Sequence, residues 1–111
     1  MSKYDELMIR VASAKPSAPE ITASDLDAVA TEVEELAALI GQQPDFGCAE
    51  PALKRLASIQ EFLALIAFKH KFKLPTRLSR LVRQFDRSDD LATRVAVYDE
   101  CRMGTFLSAD D

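Results

Sequence analysis

The chain has 111 residues, 48% of them apolar, and a formal net charge of −4. That is enough for one domain with a core of its own and too little for two. Three Gly and five Pro exclude a linker-rich chain, and the mild acidity excludes both wholesale disorder and a general pull toward nucleic acid.

Apolar residues recur with helical spacing throughout, and no sustained alternation of period two is present, so the chain reads as all-α. A first helix is expected over about Tyr4 to Ser13, capped by Ser2, with Tyr4, Leu7, Met8 and Val11 in one stripe. Pro16 and Pro19 follow; each removes a backbone donor and disfavours helix before it, so this is an extended connector and the first helix is free to act as a detachable arm. A second helix is expected from about Asp25 to Ile40. Thr22 or Ser24 caps it, each followed three residues on by an Asp, and Leu26, Val29, Ala30, Val33, Leu36, Ala37 and Ile40 form one buried face. Gly41 is the expected C-terminal stop.

After the Gln42–Ala49 loop, Pro51 suits the first position of a third helix running to about Phe72, with Lys69, His70, Lys71 and Lys73 at the negative end of its dipole. A fourth helix is predicted from Thr76 to Arg87, with Leu78, Leu81, Val82 and Phe85 on one side and arginines on the other. Ser88 is the predicted cap of a fifth, whose face carries Leu91, Val95, Tyr98 and Arg102 and which Gly104 ends. The expected architecture is a single all-α domain, a helical bundle of about five helices around a central αα-hairpin of the second and third. The N-terminal helix and connector occupy 1–21, the bundle 22–103 and a loose tail 104–111.

Two features exceed what a plain bundle needs. The first half of the third helix is two-sided, but in its second half Phe62, Leu65 and Phe72 fall in the sector that was polar while Leu63 and Ile66 continue the core face. A helix apolar all round must be covered all round. Phe62, Leu65, Phe68 and Phe72 are therefore candidate partner-binding residues, for another protein or for a second copy in a homodimer. The second feature is charge segregation. Pro51 to Arg87 holds nine Lys/Arg and two acids, residues 1–50 hold three and ten, and residues 88–111 hold two and six. Either basic and acidic helices lie side by side, or the row Arg77, Arg80, Arg83, Arg87 faces an acidic partner or phosphate.

Reactive chemistry is not indicated. There is no Gly-rich phosphate loop, GxSxG or HExxH. Cys48 and Cys101 are too few for a disulfide framework and, with His70 alone beside them, lack zinc spacing. Adjacent acids such as Glu34 and Glu35 do not face each other on a helix. No enzyme, metal or cofactor is expected. The charged N-terminus and the shortness of the longest apolar run, Phe62 to Phe68, predict a cytoplasmic protein.

The run from Asp25-Leu26 through Glu35-Leu36, the Pro44 loop and the apolar Ile59–Ile66 stretch resemble the two-helix plan of small quorum-sensing antiactivators, over about residues 22–68. The resemblance implies a non-enzymatic regulator that binds a LuxR-type transcription factor and disables it by helix–helix contact, and it assigns no residues. Two other readings stand beside it: nucleic-acid binding through the fourth-helix arginines, and a secretion-chaperone or immunity-type binding protein.

Overall fold

The computed structural model describes residues 3–13, 21–84 and 90–106. Of the two candidate caps for the second helix, Thr22 takes the role. Its backbone is extended, its hydroxyl accepts the Asp25 N–H at 3.1 Å, and the Asp25 carboxylate accepts the Thr22 N–H at 3.0 Å. This reciprocal box starts α2, Ala23–Gly41, which buries Leu26, Val29, Val33 and Ile40 as the spacing predicts. The helix ends at Gly41 as expected, though without a left-handed residue. Gly41 is the last helical residue, and Gln42 caps the helix in right-handed conformation (φ −88°, ψ −8°). The glycine is required by a neighbour instead: a Cβ there would lie 2.6 Å from the carbonyl oxygen of Cys101.

The third helix, α3, spans Phe46–Phe68 and so begins and ends earlier than its sequence suggests. Asp45 caps it by accepting the Cys48 N–H at 2.8 Å, and the hydrogen bond to that amide holds the Asp45 carboxyl below its usual range. Pro51 therefore sits inside the helix rather than at its first position. It is tolerated because Pro51 and Gly47, whose carbonyl loses a donor, are both exposed. At the other end Lys71 adopts a left-handed backbone (φ 61°), the chain turns back, and the Phe72 N–H donates to the Ile66 carbonyl at 3.1 Å. The reversal carries Phe72 and Leu74 onto the core.

Helix α1, Lys3–Ser13, is folded back on α2, with Tyr4 and Leu7 buried. Met8, expected in the same stripe, is exposed; the side chain of Val11, and Ser2, lie outside the described residues. Arg55 of α3 clamps α1 to α2: it donates to Glu32 at 2.8 Å and to Asp5 at 3.3 Å, and its guanidinium lies 5.0 Å from the Tyr4 ring centroid. Arg10 adds a bond of 3.0 Å to the capping carboxylate of Asp25.

The short helix α4, Thr76–Gln84, seats Leu78 and Leu81 fully against α3. Phe85, Arg87 and Ser88 lie outside the described residues. The last helix, α5, spans Leu91–Met103, with Asp90 as its cap in place of Ser88 and Gly104 (φ 76°) as its left-handed stop. Its inner face shares only Tyr98 with the predicted one. Leu91 and Val95 are exposed, whereas Arg94, Val97, Tyr98 and Cys101, at i, i+3, i+4 and i+7, turn inward onto α2 and α3. The Tyr98 hydroxyl donates to the Gln43 carbonyl at 3.1 Å and its ring meets Phe46 edge-on at 5.9 Å, so the face is chosen by contacts with the α2–α3 loop and the first residue of α3. The result is an all-α, single-domain bundle, with no strand among the described residues.

Candidate functional site

The four apolar residues singled out on the third helix do not share one environment. Phe62 is 6% exposed and meets the Tyr4 ring edge-on at 5.4 Å, so α1 covers the first turn of the apolar sector. Phe72 is half-buried after the reversal that follows α3. Leu65 and Phe68, three residues apart on one face, remain outside, and Phe68 is 69% exposed.

Phe68 and Phe72 border a groove of about 360 Å³ between the end of α3 and α4. Its other walls are Leu74 from the connecting loop and Val82 and Arg83 from α4, with Thr76 and Ser79 at the polar edge. The volume is that of a site for one or two large side chains. Leu74, Thr76, Ser79 and Val82 could not be assigned to it from sequence, because only the reversal at Lys71 brings the loop and α4 back against the end of α3. On the far side of Pro75 a second recess, about 400 Å³, is lined by Asp27, Thr31 and Arg77 among others; its charges are mixed and select no ligand class.

The segregated charge is partly satisfied within the chain. Arg77 of α4 pairs with Glu34 of α2, Arg55 with Asp5 and Glu32, and Arg94 approaches Glu50 at 3.9 Å. The predicted arginine row is thus not a uniform face: Arg77 is engaged with α2, Arg80 is half-buried, Arg83 is exposed at the groove, and Arg87 lies outside the described residues. No group of three metal-ligating side chains occurs among the described residues. Neither thiol is activated. The hydrogen bond with Asp45 and that carboxylate's charge push the Cys48 thiol up, and burial, with Glu100 beside it, pushes Cys101 up to about 12. No helix of the described residues is long and apolar enough to cross a membrane.

A small helical bundle that leaves an aromatic side chain exposed beside an apolar groove, with no activated nucleophile near it, has the equipment of a binding protein. The chain matches the family model described as immunity protein CdiI-like over residues 2–102, nearly its whole length, and it belongs to that family. Proteins of this family bind a partner protein, a toxin, and are in general not enzymes. The match overturns the resemblance to quorum-sensing antiactivators, whose two-helix pattern of acidic and apolar residues is common to many small bundles and carried no diagnostic motif. The alternative of an immunity-type binding protein is the one the family supports. No curated protein and no solved structure matches the chain.

Proposed function

We propose that this chain is the immunity protein of a contact-dependent inhibition system, and that it neutralises a toxin by binding it stoichiometrically at the face formed by the end of α3, the loop 69–75 and α4. The family match over residues 2–102 carries the reading. The choice of face rests on Leu65 and Phe68, exposed aliphatic and aromatic anchors beside a groove of side-chain size. No chemical step is required: covering or distorting the toxin's working surface suffices, and tight affinity comes from a few buried anchors rather than from area.

The test is protection in cells. Toxin domains of contact-dependent inhibition systems, sampling every known toxic activity, are expressed inducibly with and without this chain. Growth is restored against one of them, and that toxin copurifies with the chain in a one-to-one complex that Phe68→Asp with Leu65→Asp disrupts. Protection against none of them overturns the toxin reading. Protection that the double variant leaves intact keeps the reading and rejects the face.

A further inference from the structure

The groove beside Phe68 has a sign. Between Glu61 and Asp86 the sequence carries six Lys/Arg and no acid. Arg77 is engaged by Glu34, but Lys69, Lys71, Lys73 and Arg83 are exposed and have no ion-pair partner among the described residues. The three lysines lie in the segment that carries the groove residues Phe68, Phe72 and Leu74, and Arg83 is itself part of the wall. The floor of the groove is apolar: Phe68, Phe72, Leu74 and Val82.

Lys71 supplies a second, independent indication. Its backbone is left-handed at φ 61°, a conformation in which glycine is unstrained and a side chain with a Cβ is not. Backbone strain of this kind persists when the surrounding structure holds it in place, and it clusters at functional sites. What lysine adds over glycine at that corner is a positive charge on an exposed stem.

We propose that this groove takes an acidic segment of the bound protein, one apolar side chain of which sits on Phe68 and Phe72 while carboxylates on either side face Lys71, Lys73 and Arg83. The inference rests on the toxin-binding reading for its biological partner, but its chemistry can be measured without any toxin. A phosphate backbone would meet the same cations, yet it would leave the apolar floor unfilled. A protein segment with an apolar anchor uses both parts of the groove.

The experiment pans a phage-displayed library of random peptides, about 16 residues long, on the full chain at low salt. The best binder is then synthesised with a fluorescein label. The expected selection is Asp and Glu flanking a Phe, Trp or Leu, with amide shifts in the 15N-labelled chain centred on Phe68, Phe72, Val82 and Arg83. Lys71→Gly and Arg83→Glu each weaken the peptide by about two- to fivefold, and Arg83→Glu with Lys73→Glu by about tenfold, as for solvent-exposed charge contacts. Raising the salt removes most of that difference. Lys71→Gly is the decisive variant because it relieves strain: its thermal midpoint stays at or above that of the parent while its affinity falls. Neutral or basic peptides, shifts outside the groove, or affinities unmoved by these variants overturn the inference. So does a labelled 20-mer of thymidylate that competes at the same residues, or a dimer in sedimentation that Phe68→Asp dissolves, which would give the groove to nucleic acid or to a second copy. Growth protection is scored separately. A chain that binds acidic peptides in the groove but protects against no toxin loses the toxin reading alone, and one that protects equally well with Arg83→Glu and Lys73→Glu loses only the acidic-segment inference.

Discussion

Two phenylalanines six residues apart on α3 give the sharpest test of the division between core and docking face. A Phe side chain buries on the order of 150–250 Å² when enclosed, at about 25 cal/mol per Å². Phe62 is 6% exposed and has the Tyr4 edge against it. Truncating it to Ala is expected to cost about 3–5 kcal/mol, transfer loss and cavity together. A domain of this size has a total stability of roughly 5–15 kcal/mol, so Phe62→Ala removes a large share of it. Phe68 is 69% exposed, so roughly a third of the same area is at stake and Phe68→Ala should cost about 1–2 kcal/mol. Urea unfolding followed by far-ultraviolet circular dichroism measures both. Equal midpoints for the two variants, or a lower one for Phe68→Ala, would refute the assignment of Phe62 to the core and Phe68 to the surface, and with it the docking face.

Three further outcomes follow from the packing. Gly41→Ala should destabilise: a Gly-to-Ala change in a helix ordinarily gains about 0.5–1 kcal/mol, but the new Cβ meets the Cys101 carbonyl at 2.6 Å, and overpacking against fixed backbone costs about 1–3 kcal/mol; a raised urea midpoint would contradict that approach of α2 to α5. Arg55→Met removes the bonds to Asp5 and Glu32 and the contact with the Tyr4 ring; with the side chain 35% exposed, the loss should be about 1 kcal/mol, with faster amide exchange in α1, and should shrink in molar salt. The Cys101 thiol, held up to about 12 against an ordinary 9.0, keeps its proton in the folded state while the unfolded chain loses it. Stability from this group is therefore complete below pH 9 and declines as pH rises toward 12, so Cys101→Ala should lose less of its urea midpoint between pH 7 and 10.5 than the parent chain, and an equal loss would refute the shift.

Local chemistry in the chain determined a good deal without help. The Thr22–Asp25 pair, the apolar spacing of α2 and the left-handed stop at Gly104 are written over a few consecutive residues, so their positions are legible before any tertiary contact exists. The Asp90 cap was not read as such: two acids and a serine in a row offer three candidates of similar propensity. The excess apolar perimeter on the third helix was equally visible, because periodicity measures how much surface must be covered.

What covers it was a tertiary decision. Tyr4 arrives from α1 to enclose Phe62, the reversal at Lys71 returns Phe72 to the core, and Leu65 and Phe68 are left outside. The same holds for α5, whose inner face was selected by Gln43 and Phe46 rather than by its own apolar count, and for Gly41, which answers to α5 and not to the helix it ends. Helical spacing says how many residues must be hidden; only the meeting of distant segments settles which of several equally greasy side chains is hidden by the chain itself and which is left for a partner.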